Sequence, residues 1–269
     1  MNGEGSRQWS LPAGLRRIIR YVSYKYHFYR IRRNVRGYDA PLNPFKICFV
    51  NPSCVKYFSG RPYPQWQNAK KLIGSVRSGN WDLSPPTTFD SNYSGTPAYL
   101  YLGNTFSDSI VHQSLENHFS HDKPWKETRI VREALELVDE RGFVWHCSSE
   151  QEIWDKCNEL DQMYAEIKTT GRINTQLSEN YEGVLPPSIL DQVKHNILVD
   201  IGRGGELLFV NGRHRLSIAK ILEIDRVPIA VCVRHRKWME RRDQIYLNRE
   251  SVIHPDITEW AHSVECRSR

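Results

Sequence analysis

The chain has no CxxC pair, no apolar run approaching the 18 or so residues that span a bilayer, and no acidic side chain between residues 15 and 36. Each absence excludes something. The six cysteines (Cys48, Cys54, Cys147, Cys157, Cys232 and Cys266) are scattered without close pairing. They read as reduced thiols in a cytoplasm, several of them serving as small core hydrophobes. Residues 1–10 are polar, so neither a signal peptide nor a transmembrane helix is expected. A P-loop, a GxGxxG fingerprint, a GxSxG elbow, an HExxH pair and internal repeats are also missing, which removes the commonest sequence routes to an activity.

What is present can build a real core. The 269 residues are 39% hydrophobic, enough for one large domain or one domain with an elaborate insertion. Lys and Arg number 37 against 31 acids, a formal net charge of +6 that favours an anionic partner such as a nucleotide, a nucleic acid or a membrane surface. The excess is modest, so its location decides more than its size.

Much of it lies in an N-terminal arm, residues 1–38. There Arg16, Arg17, Arg20, Lys25, Arg30, Arg32 and Arg33 alternate with apolar and aromatic side chains. Wound as a helix, Leu15, Ile18, Ile19, Val22, Tyr26 and Tyr29 fall on one side. Such a segment suits an anionic bilayer interface, peripheral at the inner face of the membrane. Packing on the core with snorkelling arginines comes next, then single-stranded nucleic acid stacked on the aromatics.

The core, residues 39–238, is organised around residues 196–235. Two β-type runs flank Gly202-Arg203-Gly204-Gly205, which is hairpin chemistry. After an Asn211-Gly212 corner the period becomes helical (Leu216, Ile218, Ala219, Leu222), and residues 227–233 return to an extended apolar run. Arg213, His214 and Arg215 therefore sit where a strand ends and a helix begins. Free backbone N–H groups and the positive end of the helix dipole meet two guanidiniums and an imidazole there, a combination suited to phosphate. The plainer reading is a solvated helix start.

The string V-N-G-R-H-R-L-x-I-A-K-x-L, followed by V-P-I-x-V-x-V, resembles the core motif of the ParB/sulfiredoxin-like superfamily. Its members include DNA-segregation proteins that bind a cytidine nucleotide, sulfiredoxins that use ATP, and a free serine kinase. Residues 47–55 look like the family's first strand and the turn after it. The resemblance implies an α/β (α+β) fold: a small mixed β-sheet core of ParB/sulfiredoxin type, carrying a mainly helical insertion at about 61–187 and a basic N-terminal helix. It also implies that Gly212, His214 and Arg215, with Asn211 and Arg213 adjacent, hold the phosphates of ATP or another nucleoside triphosphate. Asn211 stands where phosphotransferring relatives often carry an acid. Arg213 replaces the sulfiredoxin cysteine, so sulfinic acid reduction is not expected.

Acids within the core are few. Asp200, in the first hairpin strand, is the candidate for general base or Mg²⁺ ligand, with His214 as its catalytic companion. Equally, Asp200 could pair with an Arg to hold the sheet. Asp82 and Asp108 are weaker alternatives, and Arg234 to Lys237 form a second cationic cluster that either extends the phosphate site or covers the sheet edge.

Within the insertion, helices are expected over 68–76, 108–119 and 125–140, and a short strand over 143–145. A capping box at Ser149 to Glu152 opens the strongest helix. A loop is expected over 84–97 and a polar link around Pro186. His112, His118 and His121 with Asp122 have metal-like spacing, although solvated or capping roles suit them better. The tail, residues 239–269, packs for part of its length and then frays.

Three functions follow: a nucleotide-dependent phosphotransferase (kinase-like) with an unknown acceptor; a ParB-type nucleotide-gated DNA-binding module or nuclease, which lacks a helix-turn-helix signature downstream; and a non-catalytic scaffold of the same fold.

Overall fold

A computed structural model describes residues 13–43, 46–83, 95–173 and 196–257. The 84–94 part of the expected loop, the link around Pro186 and the tail beyond residue 257 lie outside the described residues. The fold is mixed α/β. Among the described residues six strands form one sheet: β1 (Ile47–Val50), β2 (Val55–Phe58), β3 (Ser75–Arg77), β4 (Ile197–Ile201), β5 (Leu207–Asn211) and β6 (Val227–His235). The order is β1-β6-β4-β5-β2, with β3 also on β6.

The central strands follow the sequence pattern. β4 and β5 are the antiparallel hairpin around the glycine-rich turn, and β6 runs parallel to β4. β1 pairs antiparallel with the first half of β6, whereas β3 extends the same edge in parallel along its last residues. Strands buried on both faces need apolar side chains on both; every residue of β4 and of β6 is buried.

Eight α-helices are described. Ile197, Val199, Ile201 and Phe209 point to one face, under α4 (Ile110–His121), α5 (Arg129–Arg141), α6 (Glu150–Thr170) and α7 (Arg213–Ile221). Leu198, Val210, Ala230 and Cys232 point to the other, where Ile31 of α1 (Ala13–Asn34) and Ala69 of α2 (Ala69–Leu72) cover them. Alternation along β4 therefore puts Asp200 on the α1/α2 face with Leu198. The remaining helices are α3 (Ala98–Tyr101) and α8 (Arg236–Asn248).

Three local expectations change. Residues 68–76 hold only one helical turn before Gly74 (φ +74°) releases the chain into β3, so a piece of the insertion completes the sheet. Residues 143–145 form no strand but the start of a two-residue turn closed by the Val144–Cys147 bridge. Half of the second cationic cluster is internal: Arg234 is buried against Asp256, and the buried His235 ring caps α8 by accepting from the Lys237 N–H, whereas Arg236 and Lys237 are exposed.

At the strand–helix corner Gly212 has φ +90°, and a Cβ there would lie 3.1 Å from the Ile197 Cα. Glycine is the residue that both fits and adopts this conformation without strain. It ends β5, starts α7, and offers no side chain to cap the helix's first N–H groups.

Candidate functional site

Each of the three basic side chains after Gly212 has a different fate. Arg213 is 8% exposed and turns inward. Its guanidinium lies 3.4 Å from the Tyr101 ring centroid, with Trp66 at 5.2 Å and Phe209 at 5.7 Å, and it donates to the Tyr101 carbonyl at 3.0 Å. A desolvated cation in such an aromatic cage is worth about 2 kcal/mol. Arg213 thus fastens α3 and the Trp66 segment to the core, while its charge stays at the helix start.

His214 is the centre of the corner. The Trp145 indole donates to its Nε2 at 3.1 Å. An indole N–H can only donate, so Nε2 is the acceptor and the ring is neutral with its proton on Nδ1. Burial, followed by the charges of Lys156, Arg213, His146 and Arg215, holds its pKa well below the usual histidine range. All four groups are basic and push the same way. His146 is likewise depressed, by burial and then by Lys156 and Arg213. Arg215 is lowered by burial.

Three of these residues were not singled out from the sequence as part of the site. Lys156 belongs to a helix face that reads as solvated. Trp145 and His146 occupy the two central positions of the turn, both with positive φ (+52° and +64°). Such turns ordinarily take Asn-Gly, and a bulky Trp with positive φ is an outlier of the kind that clusters at functional sites. Without Asn or Gly, nothing in Val144-Trp145-His146-Cys147 announces the turn. It is held from behind: the Trp145 N–H donates to Thr96 Oγ1 at 2.7 Å, and Thr96 Oγ1 in turn donates to the Tyr101 hydroxyl at 3.2 Å. Tyr101 is also the floor of the Arg213 cage, so turn and corner share one support.

Asp200 is placed elsewhere. It is fully buried on the opposite face of the sheet from α7. Its Oδ2 accepts from Ser59 Oγ (2.5 Å) and Arg61 Nε (2.6 Å), and its Oδ1 accepts from the Val233 N–H (2.9 Å) and Arg61 Nη2 (3.3 Å). Four donors saturate a carboxylate. This is the sheet-holding ion pair, not a group turned toward His214. Asp82 is taken by the Arg203 guanidinium and backbone, and Asp108 caps the Thr105 turn.

The insertion histidines do not converge. His112 is buried beside Phe106, whereas His118 bridges the Lys123 carbonyl and Asp161. Among the described residues no three His, Cys, Asp or Glu side chains could hold a metal together. Asn211 ends β5, half-buried, opposite Leu198.

Of the basic arm, α1 is formed, and Arg30 donates to the Lys71 carbonyl at 2.7 Å. Lys25, Arg32 and Arg33 are exposed, and the side chains of Arg16, Arg17 and Arg20 lie outside the described residues. No described helix is long and apolar enough to cross a membrane.

Fold and site together define a mixed α/β protein with a cationic strand–helix corner. No family model, curated protein or solved structure matches the chain.

Proposed function

We propose that the chain binds a nucleoside triphosphate through its phosphates at the N-terminus of α7, and that phosphoryl transfer to an acceptor still to be identified is its chemistry. The observation that carries the reading is convergence. A helix start with no side-chain cap and a neutral His214 lie in a basic field to which Arg215 and, from α6, Lys156 both contribute. Phosphate is the common ligand that such donors complement. Phosphoryl transfer fits because it demands positioning and charge neutralisation more than covalent help from the protein.

In this reading His214 is a donor to a phosphate oxygen and not a base, since its Nε2 is committed to Trp145. Arg213 contributes charge from inside its aromatic cage. A Mg²⁺ held by Asp200 does not fit, because both carboxylate oxygens are already occupied, so no step is assigned to it. That occupancy favours a second reading, a nucleotide-binding scaffold without transfer.

A thermal-shift panel of ATP, ADP, CTP and GTP, with and without Mg²⁺, tests the proposal. Saturating nucleotide at about 100 times its Kd stabilises by about 2.7 kcal/mol, a rise of roughly 5–10 °C for a domain of this size. A shift in wild type that disappears in Arg215→Ala supports binding; no shift with any nucleotide rejects it. Transfer of the terminal phosphate, or its absence, then separates enzyme from scaffold.

A further inference from the structure

The helix α1 seats only one side on the body of the protein. Ile31 is fully buried, with Tyr24 and Phe28 packed beside it over the sheet. Ile18, Val22, Tyr26 and Tyr29 lie on the other side and are 61%, 58%, 65% and 73% exposed. At 100° per residue, Ile18, Val22 and Tyr29 fall within about 40° of one another. Four large apolar or aromatic groups on one face of one helix exceed the scattered exposure of an ordinary surface.

Basic side chains accompany this face. Lys25, Arg32, Arg33 and Arg36 are exposed, and no acid occurs between residues 13 and 36. At the C-terminal end of the helix a groove of about 670 Å³ opens, with Phe28, Val35 and Leu42 among its walls and Arg32 and Arg36 among its polar groups. One carboxylate, Asp39, also lines it. Two further acids, Glu240 and Asp243, act on Tyr38 beyond the helix. Positive charge thus attends the exposed apolar face, and negative charge begins only past the helix end.

We propose that α1 docks on an anionic lipid bilayer, lying in the plane of the interface. Its outward apolar side enters the acyl boundary, Tyr26 and Tyr29 sit at headgroup depth, and the groove beside Arg32 and Arg36 receives an anionic headgroup. The pairing of apolar and cationic groups on one surface decides the occupant. A second copy of this chain would bring like charges together, and nucleic acid would leave Ile18 and Val22 unused. The helix is too polar to span, so it lies on the surface. This inference is independent of the phosphate site.

The test is co-sedimentation of the full chain with vesicles of phosphatidylcholine alone and of phosphatidylcholine with phosphatidylglycerol. Two double variants accompany it: Ile18→Glu with Val22→Glu, and Arg32→Glu with Arg36→Glu. All four positions are exposed or unpacked against the core, and unchanged circular dichroism confirms folding. The wild type is expected to pellet with the anionic vesicles and to remain in solution with neutral ones. Each double variant should bind at least tenfold more weakly, since each cation near such a surface contributes about fivefold. Equal binding to both vesicles, no binding to anionic vesicles, or a wild-type dimer that the Ile18→Glu/Val22→Glu variant dissociates would overturn the proposal.

Discussion

The Trp145 indole and the His214 imidazole form a single unit: the Nε1–H donates to Nε2 at 3.1 Å across a nearly perpendicular ring contact. The hydrogen bond selects the tautomer, and surrounding basic groups prevent the ring from charging. His214 is therefore predicted to stay neutral, with its imidazole proton on Nδ1, throughout the physiological range. Ring-nitrogen NMR shifts measure this directly. The sign of the linkage follows. A histidine depressed in the folded state contributes its full stability above the unfolded pKa near 6.5, and that contribution falls as pH drops below it. Trp145→Phe should free Nε2 and raise the pKa of His214, a change that the same NMR shifts would read.

Asp200 separates a structural role from a catalytic one. Asp200→Asn leaves the Arg61 guanidinium buried without its charge partner and should cost about 3–5 kcal/mol. Denaturant unfolding measures that loss. At a temperature where the variant remains folded, nucleotide affinity should match wild type, because Asp200 lies across the sheet from α7.

Asp256 ties residues 250–257 to the body of the protein. It accepts from Arg234 at 2.6 Å and from Trp238 at 3.0 Å, and pairs with Arg242 at 3.1 Å. Despite the opposing effect of burial, the charges of Arg234 and Arg242, with hydrogen bonds from Arg234 and Trp238, bring its pKa down to about 2. Its contribution is present above the unfolded carboxyl value near 4 and is lost as pH falls toward about 2. Acid unfolding of wild type should thus show a drop in stability across that window, and Asp256→Asn should flatten it. The variant should also be less stable at pH 7 by about 3–5 kcal/mol, having uncovered two buried guanidiniums.

Arg213 should act through packing. Arg213→Lys keeps the charge at the start of α7 but cannot stack as a planar cation on Tyr101. The expected result is a loss of about 1–2 kcal/mol in stability, read by denaturant unfolding, with a smaller effect on phosphate affinity than Arg215→Ala.

The central sheet was legible in the sequence wherever pattern and turn chemistry agreed. β4 coincides with its predicted apolar run, Gly212 marks the strand–helix join, and Ser149 caps α6 by accepting from the Glu152 N–H. Legibility failed where long-range contacts overrode local pattern. β3 is three residues long and gains its identity from β6. The Trp145-His146 turn carries none of the residues that usually mark one, because its conformation is imposed by Thr96 behind it and His214 in front. Strand alternation placed Asp200 opposite its neighbours Val199 and Ile201. The side facing α7 became apparent only once Ile197, Val199 and Ile201 were seen packed beneath that helix.

The most direct test of the phosphate site is calorimetric titration of ATP and of tripolyphosphate into wild type, Lys156→Glu and Arg215→Ala. The account predicts that both ligands bind wild type and that both variants lose tenfold or more, the change expected from removing about 1.4 kcal/mol of charge-assisted contact. Binding unaffected by either substitution, or no binding of a phosphate ligand to wild type, would contradict it.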